Sequence, residues 1–149
     1  MDSVNGIIAQ KLQNFDLTLL ELRSLGKLSF EQLEQDWRTK RAVERSLQIL
    51  VEMVIDICQR LIALAEQSPA TTGRDAIERA IRLGAISDNE NWYKMVQFRN
   101  FIVHRYEHVD NAVLVDMVNR RLPDFEQFRK EVLAYVRRTI DNDQTTNGR

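Results

Sequence analysis

The residues best suited to chemistry lie close together, in Arg99-Asn100-Phe101-Ile102-Val103-His104-Arg105-Tyr106. Histidine titrates near neutrality, so His104 can give or take a proton under ordinary conditions. Arginine stays charged, and its planar fork can hold a phosphate or carboxylate through two bonds. Asn100 offers both donors and an acceptor. The spacing adds an anomaly. An apolar stripe runs Trp92, Met95, Val96, Val103, and Arg99 falls on it, seven residues after Trp92. Tyr106 is seven after Arg99, on the same face if the helix continues. Arginine is rarely buried unless paired, so Arg99 must snorkel, form an ion pair, or line a pocket or interface. His104 comes five residues after Arg99, which on an ideal helix separates the two directions by about 140°. A helix end near His104, or a second subunit, is needed to make them converge. On spacing alone, structural roles for Arg99 and His104 stand ahead of chemical ones.

Other patterns compete. His104-Arg105-Tyr106-Glu107-His108 spells H-x-x-E-H, the inverted zinc-protease motif. These are the only two histidines, and the chain that follows is short for a third ligand helix, so no metal site is expected. Cys58 sits at helical steps from Val54 and Leu61 and reads as a core thiol. Arg120-Arg121 and Arg137-Arg138 are basic pairs that read as solvated faces, or as flanks of a cleft in a dimer. No phosphate loop, dinucleotide fingerprint or paired-cysteine site is present, and no cofactor is expected.

The elements that must position these residues are helices. The chain has 149 residues, one domain's worth, with 44% apolar and 29% charged positions. Its 5 Gly and 2 Pro are too few for a turn-rich β fold. A net charge of -1 excludes a broadly basic nucleic-acid sleeve but leaves room for a local basic site. A single cysteine, no signal-peptide pattern and no apolar run of membrane-spanning length point to a cytoplasmic protein.

Leu12, Phe15, Leu19, Leu22 and Leu25 mark a first amphipathic helix, with Gly26 as its stop. Ser29 and Gln32 form a capping box, stapled by Leu28 and Leu33. A long helical stretch runs to about Gln67, with Asp36 a second N-cap inside it. A short helix spans 74–83 and stops at Gly84. Ser87 with Glu90 reads as the capping box of the helix that carries the motif. Asp110 caps the next, Pro123 sets a break, and Phe125, Phe128, Val132, Tyr135 and Ile140 mark the last. The expectation is an all-α bundle of four to five main helices over residues 1–140, followed by a polar, disordered tail over 141–149.

The motif R-N-x-x-x-H-x-Y resembles the RX4HXY signature of HEPN-domain proteins, in particular the HepT-like toxins of HEPN–MNT toxin–antitoxin pairs. Arg41-Ala42-Val43-Glu44-Arg45-Ser46-Leu47-Gln48 looks like the family's central-helix segment, and Gly84-Ala85-Ile86 like its turn. The resemblance implies a HEPN-type bundle that pairs as a homodimer, with the motif helices of two copies building a cleft. It further implies the toxin of a type VII system, an endoribonuclease that needs no metal and leaves a cyclic phosphate. His104 would do acid/base work, Arg99 would stabilise charge in the transition state, and Asn100 would support them, with Arg105 as a further RNA contact. Tyr106 would accept AMP from an MNT nucleotidyltransferase antitoxin, adding charge and bulk that keep RNA out.

A rival reading remains open. Related HEPN domains serve as non-catalytic nucleotide- or substrate-binding subunits of minimal nucleotidyltransferases, where Arg99 and His104 would bind phosphate without cutting. A plain helical dimerisation module would need no site at all.

Overall fold

The computed structural model describes the backbone of residues 2–104 and 110–147, and the side chains of 6–102 and 110–140. Helix α1 (Asp2–Arg23) buries Ile8, Leu12, Phe15, Leu19 and Leu22. Gly26 turns the chain with φ 67°, a left-handed conformation that costs glycine little. Because α1 stops at Arg23, Leu25 falls in the turn and is 42% exposed, off the core stripe expected for it.

The next two helices share a junction that the sequence spells out. Ser29 Oγ accepts from the Gln32 backbone N–H and Gln32 Oε1 from that of Ser29, the expected capping box for α2 (Phe30–Gln35). Leu28 and Leu33 are both buried. Asp36 then caps α3 (Trp37–Leu64), accepting through Oδ1 from the N–H groups of Arg38 and Thr39. The Thr39 hydroxyl, bonded to Oδ2, does most to hold the Asp36 carboxyl below its ordinary pKa.

α3 is the central rod. Val43, Leu47, Leu50, Val51, Val54, Ile57, Cys58, Leu61 and Ile62 are buried along it, and α1, α4 and α5 pack on it. Its exit loop is pinned by one side chain. Gln59 donates to the Ala70 carbonyl at 3.0 Å and accepts from the Ala70 N–H at 2.9 Å. Thr72 caps α4 (Gly73–Arg82), whose first residue comes so close to α3 and α5 that an added Cβ would lie 2.9 Å from Ile55 and 3.2 Å from Val96. Gly84, φ 80°, ends this segment as expected.

Two expected boundaries differ. Helix α5 (Glu90–His104) starts later than a Ser87 cap would place it. The Ser87 backbone is already committed: its carbonyl accepts the Trp92 indole N–H and its N–H donates to Glu131. Asn89 caps instead, its Oδ1 accepting from the Asn91 N–H at 2.9 Å. Asp110 caps α6 (Asn111–Asp116) as expected. Pro123, however, does not break the chain. A π turn, Met117–Arg121, leads directly into α7 (Leu122–Asn147), with Pro123 in its first turn. Proline supplies no N–H to the Asn119 carbonyl and crowds it, and the wider turn absorbs both defects. α7 continues as helix through Asn147, past Ile140.

Among the described residues, α1, α3, α4, α5 and α7 each reach ten residues or more, giving an all-α bundle with five main helices. An aromatic chain ties three of them. Phe15 of α1 contacts Phe125 and Phe128 of α7 at 6.1 and 6.3 Å between ring centroids. Phe128 meets Trp92 of α5 edge-on at 5.7 Å. Outside this core, Arg23–Glu126 and Arg129–Asp16 ion pairs link α1 to α7 at 2.7 and 2.6 Å.

Candidate functional site

Helix α5 presents the motif. Trp92, Met95, Val96 and Phe98 are buried where α5 packs on α3 and α4, and Trp92 also meets Phe128 of α7. The Trp92 indole fixes the entrance through its 2.9 Å bond to Ser87. The Arg74 guanidinium stacks over Tyr93, 4.7 Å from the ring centroid.

Arg99 follows from this anchored stretch and is half-buried. Its Nη1 donates to Asn100 Oδ1 at 3.2 Å. Its Nε is buried and has no hydrogen-bond partner among the described residues, and Arg99 makes no ion pair there. Of the three roles open to it from sequence, pairing with a carboxylate of the described chain is thus not the one taken. Asn100 is exposed. His104 is the last residue described in α5, and the helix is continuous from Arg99 to it. The α5 backbone therefore does not by itself turn positions 99 and 104 towards one another. The side chain of His104, and all of Arg105, Tyr106, Glu107 and His108, lie outside the described residues. The structure brings Arg99 and Asn100 together.

A different face of α5 forms a feature that sequence reasoning missed. Together with α6, the π turn and the start of α7 it lines an open pocket of about 470 Å³. Phe98, Phe101, Met95 and Phe125 supply apolar walls, and Asn91, Lys94 and Asp124 polar ones. Asn91 Nδ2 donates to Asp124 Oδ1 at 3.2 Å. Burial pushes the Asp124 carboxyl up, against the pull of Arg121 and Lys94. The signal was present as a second helical repeat: 91, 94, 98 and 101 on α5, and 113, 117, 121 and 124 beyond it. It was hidden behind the more hydrophobic Trp92 stripe.

The basic pairs resolve unequally. Arg121 lies 3.4 Å from Asp116 and 4.0 Å from Asp124, and Arg120 lies 3.9 Å from Asp116, so this pair is tied down within the chain. Arg137 and Arg138 are exposed, and Arg138 donates to the Gly84 carbonyl at 3.4 Å. Cys58 is fully buried, and burial pushes its thiol up to about 12, so it is a core residue as expected.

An all-helical bundle that carries R-N-x-x-x-H on one helix, with α3 as its central rod, has the architecture of a HEPN domain. The chain belongs to the ribonuclease HepT-like family, whose model matches residues 16–132. The mRNA nuclease HepT of Shewanella oneidensis is 30% identical over 99 residues, spanning 65% of this chain and 74% of that protein. Among solved structures, a toxin–antitoxin crystallised with AMP-PNP matches with a TM-score of 0.74 and 27% identity, over 86% of this chain and 97% of that one. The tri-AMPylated HEPN toxin of Shewanella oneidensis in complex with MNT antitoxin matches with a TM-score of 0.76 and 26% identity, again over 86% and 97%. None of the helices described here is long and apolar enough to cross a membrane.

Proposed function

We propose that this chain is the toxin of a HEPN–MNT toxin–antitoxin pair, a ribonuclease that cuts RNA without a metal ion. The observation that carries the reading is the state of Arg99 on α5. Its Nε is shielded from water yet unpaired among the described residues, within the R-N-x-x-x-H order of the family. A buried donor without an acceptor costs about 1–3 kcal/mol, so it is poised for an anion that arrives with a substrate. A phosphoryl oxygen, gaining charge as the reaction proceeds, supplies that anion.

The chemistry is a transesterification. The RNA 2′-oxygen attacks the adjacent phosphorus, the 5′-oxygen of the next nucleotide leaves, and a 2′,3′-cyclic phosphate remains. One histidine takes the 2′-hydroxyl proton and a second proton reaches the leaving oxygen. His104 supplies acid/base catalysis, and the His104 of a second copy provides the other half in a cleft between two chains. Asn100 holds one edge of Arg99, and Arg105 adds positive charge along the strand. Tyr106 receives AMP from an MNT nucleotidyltransferase partner, which closes the cleft to RNA by repulsion and occlusion. The support for this last step is the tri-AMPylated state of the similar Shewanella oneidensis toxin.

The test is RNA incubated with the wild-type chain and with His104→Ala, in excess chelator. Cutting by wild type alone, with cyclic phosphate ends, is the expected result. Equal cutting by both chains, or loss of cutting on chelation, would overturn it. A chain that is not toxic when expressed without its partner, binds nucleotide and leaves RNA intact would instead fit a binding subunit.

A further inference from the structure

The open pocket between α5 and α6–α7 takes no part in the chemistry above. We propose that it is a binding site for a free guanine nucleoside or nucleotide, read by the edge of its base. Every residue that does the reading lies in the pocket wall, and Arg99 and Asn100 are not among them. A nucleoside holds no phosphodiester to cut, so its binding stands or falls apart from ribonuclease activity.

Two side chains in the wall have bonding capacity to spare. Asp124 is half-buried, and its Oδ1 accepts from Asn91 Nδ2 at 3.2 Å. Its Oδ2 has Arg121 Nη1 at 4.0 Å, too far for a hydrogen bond, and Arg121 lies closer to Asp116, at 3.4 Å. Burial has taken enough water from the Asp124 carboxyl to push its ionisation up. A carboxylate in this state gains from N–H donors that replace the lost water. Lys94 lines the same pocket, is near enough to pull on the Asp124 charge, and makes no ion pair among the described residues. The wall thus offers a pair of acceptors with a donor beside them.

Guanine carries the complement along one edge: the N2 amino group, the N1–H and the O6 carbonyl, two donors and then an acceptor. The donors suit the two Asp124 oxygens, and O6 suits the Lys94 ammonium. Adenine and cytosine place an acceptor nitrogen beside their amino group, and uracil flanks its one N–H with carbonyls, so each sets a lone pair against the carboxylate. Met95, Phe98 and Phe125 give the ring a flat, polarizable surface, the kind on which bases stack. At about 470 Å³ the space falls in the range that holds a small organic ligand. Among the described lining residues Lys94 and Arg121 balance Asp116 and Asp124, so no net charge is left to capture a phosphate and the base carries the recognition.

The experiment titrates the wild-type chain with guanosine, adenosine, cytidine and uridine, and reads the methyl NMR signals of Met95, Met117 and Val113. Guanosine is expected to shift them at roughly tenfold lower concentration than the other three. GMP should match guanosine, because the phosphate makes no contact of its own. Inosine, which lacks only the 2-amino group, should bind roughly tenfold more weakly, a comparison that needs no variant. Asp124→Asn is expected to erase the preference for guanosine. Lys94→Met, at an exposed position, should weaken guanosine binding and leave urea unfolding unchanged. Equal response to all four nucleosides would overturn the proposal, as would equal binding of guanosine and inosine. Binding of GMP without guanosine would overturn it in favour of a phosphate site at Lys94. Shifts that follow protein concentration rather than nucleoside would overturn it in favour of contact between copies.

Discussion

Arg99 and Asn100 are neighbours in sequence and partners in structure: the guanidinium Nη1 donates to the amide oxygen at 3.2 Å while Nε stays buried and unpaired among the described residues. The pair orients a charge without neutralising it. Arg99→Lys keeps a charge and loses the fork. RNA cleavage by this variant is expected to fall about 10²–10³-fold, the scale for removing one donor to a developing anion. Its stability should not fall with it, because the orphaned Nε is removed too. Cleavage rates and urea unfolding measured on the same preparation check this. A parallel loss of stability and activity would make Arg99 a structural residue.

Asn119 tests the π turn. Its side chain accepts from the Leu28 N–H at 2.9 Å and donates to the Leu28 carbonyl at 2.8 Å, fastening the approach to α2 onto the turn ahead of Pro123. Gln59 does the same to Ala70. Asn119→Ala leaves two part-buried backbone groups unpaired, at a cost of about 2–3 kcal/mol. Asn119→Asp keeps the acceptor and should restore part of that. Equilibrium unfolding in urea reads both values, and an alanine variant within about 0.5 kcal/mol of wild type would show that water substitutes fully.

How much of this was legible from sequence depends on where the information sits. The Ser29 box, the Asp36 cap and the buried face of α3 follow from spacing within a few residues, and each was readable. The Ser87 cap misled because Trp92 and Glu131, one of them far along the chain, claim its backbone. Pro123 was read as a break because a local rule cannot show that a π turn precedes it. At the site, Arg99 and Asn100 were legible by type. Their orientation was not, and the pocket beside the Trp92 stripe needs α5 to meet α6 and α7, a pairing no single helical period encodes.

Cys58 gives a reactivity prediction. The thiol is fully buried on α3 and its ionisation is pushed up to about 12, so thiolate is scarce at neutral pH. Iodoacetamide at pH 8 should leave the native chain unmodified and alkylate it fully in denaturant. Intact mass measured before and after unfolding reads this directly. Rapid native labelling would mean that α3 opens locally.

Asp124 gives a pH dependence whose sign follows from its surroundings. Burial raises its carboxyl, outweighing the nearby Arg121 and Lys94, so the folded chain holds this proton more tightly than the unfolded one. The contribution to stability is complete below the unfolded carboxyl range and is lost as pH rises through the folded value. Asp124→Asn removes the ionisation and keeps a group able to bond Asn91. Relative to wild type, the variant should therefore be more favoured at pH 7 than at pH 4. Urea unfolding of both chains at the two values checks the slope. The opposite slope would mean that the pull of Arg121, 4.0 Å away, exceeds the desolvation of the carboxylate, and that Asp124 is satisfied within the chain without any ligand in the pocket.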